Sequence, residues 1–244
     1  STSRRQRQMC IRDSYRREIG AFFSSGIAYI FLAVFYLFAG YFFYASSLYS
    51  ATTDMSGMFS SLFMVIVFLI PILTMRLFSE ELKQKTDQGL LTAPVSLPGI
   101  VLGKYFAALT LYTVGIAIVM LYGMILSFFG EVAWGIVFAN FLALFLLGAA
   151  FIAVGLFVSA LTENQIIAAV GGFVALMLLY MIDVVASYVK VEAVAHVLTS
   201  LSFYTRYYEF TCGLFNLPSV LFYISTAVIF NFLTVRVFER RRWA

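Results

Sequence analysis

Charge is rationed along this chain, and its spacing limits the fold more than any other feature. Six windows, 19–53, 55–75, 105–130, 132–162, 164–182 and 210–235, contain no Asp, Glu, Lys or Arg. A helix that crosses a bilayer needs about 20 mostly apolar residues, and an ionised group at mid-membrane is expensive. Every window is long enough for one crossing. Within them, runs such as "YIFLAVFYLF" and "FLALFLLGAAFIAVGLF" are continuously apolar. They lack the strict alternation of a membrane β-barrel. The expected fold is all-α: a polytopic membrane protein with six transmembrane helices, near 21–45, 58–77, 99–127, 136–160, 165–186 and 218–237.

Composition agrees: 62% of the 244 residues are hydrophobic and 11% charged, against about 45–50% and about 25% in soluble domains. The 27 Phe and 15 Tyr suit interfacial belts and helix packing rather than a cofactor site.

Cations set the expected orientation, because cytoplasmic segments are enriched in Lys and Arg. With six spans, one face collects Arg4, Arg5, Arg7, Arg12, Arg16, Arg17, Arg76, Lys83, Lys85, Lys104, Arg236, Arg240, Arg241 and Arg242, and the other only Lys190 and Arg206. Both termini are expected in the cytoplasm. A basic inner face beside anionic lipid accounts for the net charge of +4 without nucleic-acid binding. The opening "RQRQMCIRDS" reads as translated sequencing-adaptor read-through. Residues 1–14 are therefore set apart as non-native or disordered, and 15–244 form the membrane domain. "SYRREIGAFFSS" reads as a short amphipathic lead-in on the inner surface.

Few residues suggest chemistry. "GIVLGKY" at 99–105 falls short of a phosphate-binding loop: three residues separate its glycines, and Tyr105 stands where Ser or Thr would meet Mg²⁺. Gly99 and Gly103 instead make a small-residue pair for close helix packing. Cys10 and Cys212 fall on opposite faces, and His196 has no ligand set around it, so no metal site or disulfide is indicated. Asn140, Asp183 and Asn231 are the polar residues at or near span interiors. Each is expected either to form an interhelical hydrogen bond or to mark a substrate path. The stretch from Asp183 to Leu217 reads as one or two helices at the outer leaflet, or as a small helical cap.

One polar stretch interrupts the apolar chain: "TMRLFSEELKQKTDQGLLTAPVS", residues 74–96. Pro71 should loosen the end of span two, and Ser79 should cap a new helix with Glu80 and Glu81 in its first turn. Glu81 and Lys85 then sit one turn apart, and Pro94 and Pro98 mark the exit into span three. Charges of both signs in balance suit a protein-docking surface.

This stretch resembles the signature after the second span of ABC-2 type permeases, especially the gliding-motility-associated subgroup. Met75, Arg76, Glu80, Glu81, Thr86, Leu90, Leu91, Thr92, Pro94 and Val95 match, while Lys85, Gln88 and Gly89 depart from the usual residues. "YRREIGAFFSSGIAYIFLAVF" and "ALTENQ" are similar too. The resemblance implies the ABC-2 permease fold, with 78–92 as a coupling helix seated on a separate ATP-hydrolysing subunit. Contacts are then expected from Phe78, Ser79, Glu80, Glu81, Lys83, Lys85, Thr86, Gln88, Leu90, Leu91 and Thr92. A second contact is expected from Thr162, Glu163, Asn164 and Gln165. It further implies a second permease copy or homologue, export as the direction, and no catalysis or cofactor on this chain, with ATP and Mg²⁺ on the partner. The rival reading is a membrane protein without an ATPase: an ion-coupled carrier or a structural anchor. Charge-free span centres speak against a carrier.

Overall fold

A computed structural model describes residue 15 and residues 18–22, 26–83, 97–189 and 192–243. Among these residues the chain is helical, with no strand. The helices are α1 (Ile27–Phe43), α2 (Ser56–Thr74), α3 (Arg76–Lys83), α4 (Leu97–Ile116), α5 (Ile118–Ser127), α6 (Trp134–Leu161), α7 (Gln165–Tyr188), α8 (Glu192–Leu201), α9 (Phe203–Thr211) and α10 (Leu217–Trp243). A π-helical turn, Tyr44–Leu48, extends α1. Six stretches are long and apolar enough to cross a membrane: Ile27–Leu48, Ser56–Lys83, Leu97–Ser127, Trp134–Leu161, Gln165–Tyr188 and Leu217–Arg241. Residues 1–14, and Lys85, Thr86, Gln88, Leu90, Leu91 and Thr92 of the expected coupling helix, lie outside the described residues.

Two boundaries differ from the sequence reading for local reasons. The first span starts at Ile27 because Gly26 takes a left-handed φ of 72°. That conformation is easy for glycine and lets α1 begin immediately after it. The second span runs on almost unbroken to Lys83, since the chain resumes its helix after a single turn residue, Met75.

The core sits around α6, whose window is the most buried of the six. Small residues on this helix admit its neighbours: a Cβ added at Gly148 would fall 2.1 Å from the Tyr112 ring, and one at Gly155 would fall 2.3 Å from Thr74 Oγ1. Helices in a membrane gain no hydrophobic drive from leaving lipid, so close packing of this kind holds them together. Two buried hydroxyls at these crossings are satisfied on backbone. Tyr112 donates to the Leu144 carbonyl at 2.7 Å, and Thr74 to the Ile70 carbonyl at 3.0 Å.

At the end of the bundle away from α3, α8 leaves Val194, Val197 and Leu201 exposed, whereas α9 buries Phe203, Tyr207 and Phe210 in the core. Tyr207 donates to the Phe59 carbonyl at 2.8 Å. The Phe63 ring meets those of Phe151, Tyr180, Tyr204 and Tyr207 at 5.3–5.9 Å. The first turn of α9 rests on Asp183, whose Oδ1 accepts from Ser202 Oγ and Thr205 Oγ1, while Ser202 Oγ caps the Thr205 amide.

Candidate functional site

The polar stretch after the second span builds its own site, beginning with α3. Leu77, Phe78, Ser79 and Leu82 are buried and Lys83 is exposed, so the helix lays one face on the bundle. It packs against α6 and α7. Arg76 grips Glu80 one turn along through Nε (2.5 Å) and Nη2 (2.7 Å), a fork that uses both carboxylate oxygens.

The expected cap is corrected. Ser79 does not start the helix; it lies in the middle, and its hydroxyl donates back to the Met75 carbonyl. The capping role falls to Ser159 on α6, whose Oγ accepts from the amides of Phe78 and Ser79 at 3.2 Å each and donates to Met75 O at 3.1 Å. Where the helix pauses at Met75, amides are left without their usual i−4 carbonyls. A serine some eighty residues along the chain supplies the missing partner.

The Lys85 expected one turn along lies outside the described residues, and Glu81 reaches a second span. Its Oε1 accepts from Lys104 Nζ at 2.9 Å, and the same ammonium donates to Glu18 Oε1 at 2.9 Å. Lys104 is 1% exposed. The Phe78 ring lies 5.2 Å from its Nζ, adding a cation–π contact. On its far side Phe78 meets Phe238 of α10, ring centres 4.6 Å apart. A buried ammonium is tolerable only when paired and hydrogen-bonded, and here two carboxylates from two elements do both. One side chain therefore ties residues 18–22, α3 and α4 together. Sequence reasoning counted Lys104 only as an orientation charge. The available signal was its solitude, a single lysine two turns inside an apolar helix.

The turn between α6 and α7 lies at the same end. Asn164 Oδ1 caps α7 by accepting from the Ile166 amide at 2.9 Å, and Thr162 Oγ1 accepts from the Asn164 amide. Glu163 and Asn164 are exposed, with Thr162 and Gln165 half-buried beside them. The structure thus brings α3 and the 162–165 turn to one end of the bundle. It turns Phe78, Ser79 and Glu81 inward and leaves Lys83 and Glu163 facing out.

The three polar span residues are not brought together. Asp183 is engaged with α9. Asn140 and Asn231 each donate Nδ2 to a carbonyl of their own helix, Ile136 at 3.0 Å and Ala227 at 2.8 Å. Their Oδ1 atoms have no partner among the described residues, so the interhelical hydrogen bonds expected of them are not made. Asn231 lies on an apolar groove of about 660 Å³ lined by α4, α6 and α10. Asn140 lies on a cavity of about 430 Å³ at the opposite end from α3.

A family model described as ABC-2 family transporter protein matches residues 16–182, more than half of the chain. The chain belongs to the ABC-2 family of transporter proteins. The match takes in α1 to α6 and most of α7, so both α3 and the 162–165 turn fall inside it. Membership, with six apolar helices, makes this ABC-2 protein a multi-pass membrane permease, the membrane component of a transporter and not itself catalytic. Comparison with curated proteins finds no match to the chain.

Proposed function

We propose that this chain is the permease subunit of an ABC-2 exporter, driven by a separate ATPase that docks on α3, the segment after it and the 162–165 turn. The observation that carries this reading is the double anchoring of α3, by Ser159 beneath its amides and by Lys104 against Glu81. A short helix fixed at two points passes a push to the spans, where a solvated loop would absorb it.

On this reading the contact set expected from sequence divides in two. Phe78, Ser79 and Glu81 hold α3 in the bundle. Glu80, Lys83 and Thr162 to Gln165 meet the partner, with Lys85, Thr86, Gln88, Leu90, Leu91 and Thr92 as further contacts. ATP and Mg²⁺ belong to the ATPase, and two permeases assemble with two ATPases. The α3 end faces the cytoplasm of a prokaryote, both termini included, with the chain in the inner membrane. The gliding-motility-associated permeases are the subgroup its signature resembles.

An ion-coupled carrier would hold a charged site near the midplane, commonly at a broken helix. The buried charge here, Lys104, lies only two turns from the start of α4 and is matched by carboxylates at that same end. This placement favours the driven permease.

The test reverses exposed charges and spares the anchors. Lys83→Glu and Glu163→Arg, together, should abolish co-purification of the co-expressed ATPase and ATP-dependent transport, while the permease still reaches the membrane. If both activities persist unchanged, the docking surface is elsewhere.

A further inference from the structure

We infer that the apolar groove between α4 and α10 is a binding site for one anionic phospholipid from the leaflet on the α3 side. Both helices lean on α6, and the space between them is about 660 Å³, within the range of roughly 300–1,000 Å³ typical of small-molecule sites. Ala149 of α6 and Ala227 of α10 line it with methyl groups alone, which leaves the space open.

Register along α10 gives the groove its direction. Ile224, Val228, Phe232 and Arg236 recur every four residues, and all four line it. From Ile224 to Arg236 the helix rises about 18 Å, close to the roughly 15 Å of hydrocarbon in one leaflet, half of the core. Ile224, Val228 and Phe232 are exposed, so the groove is open along the side that faces lipid. The Tyr105 and Tyr223 hydroxyls on its wall already donate to the Ala149 and Phe203 carbonyls, and Asn231 is buried. The length of the groove therefore offers hydrocarbon surface, which suits an acyl chain.

The α3 end is different. Phe238 stacks on Phe78 of α3, and beside it Arg236 and Glu239 line the mouth of the groove. The Arg236 guanidinium is held from two sides: Nη1 donates to Glu239 at 2.6 Å, and Cζ lies 4.9 Å from the Phe232 ring. A guanidinium carries five donors, of which Glu239 takes one. Arg240 is next in the four-residue register and is exposed, and Arg241 follows it. Three arginines against one glutamate leave the mouth positive. A phosphate carried on hydrocarbon matches both parts, and basic pockets between spans bind anionic headgroups in this way. The inference concerns α4 and α10 and does not depend on the ATPase contact.

The experiment is native mass spectrometry of the full chain, delipidated in detergent and titrated with dioleoyl phosphatidylglycerol or with zwitterionic dioleoyl phosphatidylcholine. One phosphatidylglycerol is expected to bind about fivefold or more tighter than phosphatidylcholine, the effect of one net basic residue near an anionic headgroup. Arg236→Gln and Arg240→Gln should each weaken phosphatidylglycerol about fivefold and leave phosphatidylcholine unchanged. Val228→Trp, at an exposed position on the groove, should weaken both lipids by filling it, whereas Val170→Trp, similarly exposed on α7, should weaken neither. The inference is overturned if the two lipids bind alike, if the arginine variants keep the preference, or if Val228→Trp binds like Val170→Trp. It is equally overturned if Val228→Trp turns a dimer into a monomer with lipid binding unchanged, because a second copy of the chain would then be the occupant. Should Arg236→Gln fail to fold, Arg240→Gln decides the headgroup contact alone.

Discussion

Lys104 and Glu81 meet at 2.9 Å, joining the start of α4 to the face of α3 that looks into the bundle. Glu18 completes the arrangement at the same distance. Removing one partner of a buried pair leaves uncompensated charge behind. Lys104→Met should destabilise the protein by about 3 kcal/mol, the low end for such a loss because both carboxylates keep some access to water. Adding Glu81→Gln and Glu18→Gln should recover part of it. Unfolding midpoints in detergent measure both; a Lys104→Met variant as stable as the parent would mean that the three groups do not interact.

Ser159 gives the second prediction. Ser159→Ala removes the acceptor for two amides and should cost about 1 kcal/mol, as loss of a helix cap does. The effect should be local: hydrogen exchange should quicken at Phe78 and Ser79 and stay unchanged on α9. Ser79→Ala, whose hydroxyl only returns to the Met75 carbonyl, should leave those amides protected.

Gly148→Ala should be destabilising by roughly 2 kcal/mol, since the added methyl meets Tyr112 ring carbons at 2.1 and 2.2 Å. Tyr112→Phe cannot relieve a clash with the ring and also removes the bond to Leu144. The double variant should therefore be no more stable than Gly148→Ala alone, as read from thermal unfolding of the two proteins side by side.

Asn231 behaves in the opposite sense. Its oxygen is buried without a donor, so Asn231→Leu should hold or raise the unfolding midpoint, by up to about 1 kcal/mol. Transport by the same variant separates two roles. A fall in ATP-dependent transport with stability preserved marks the apolar groove as part of the substrate path, and unchanged transport removes Asn231 from it.

Much of the bundle was legible because a bilayer imposes a simple rule. Apolar runs of spanning length and the charges between them locate α6 and α7 closely. The start of α1 at Ile27 was not legible, since only the backbone reveals the left-handed turn at Gly26. At the candidate site the sequence showed that a charged amphipathic helix follows span two, but assigned its cap to Ser79 and gave Lys104 no role beyond orientation. Local spacing favours local partners. The partners actually used, Ser159 and Lys104, lie far along the chain and become neighbours only when α4 and α6 pack. The inward turn of Phe78 was hidden for the same reason, because Phe238 of α10 supplies its contact.

The close crossing of Thr74 with Gly155 sets a scale for movement. It lies two residues before α3 begins, where α2 and α6 approach closely for want of a side chain. At 1.5 Å per residue, Lys83 is about 14 Å from this point along the helix and Ser56 about 27 Å in the other direction. If the crossing acts as a fulcrum, a tilt that shifts Lys83 by one ångström swings Ser56 by about two, so a small stroke at one surface of the membrane is doubled at the other.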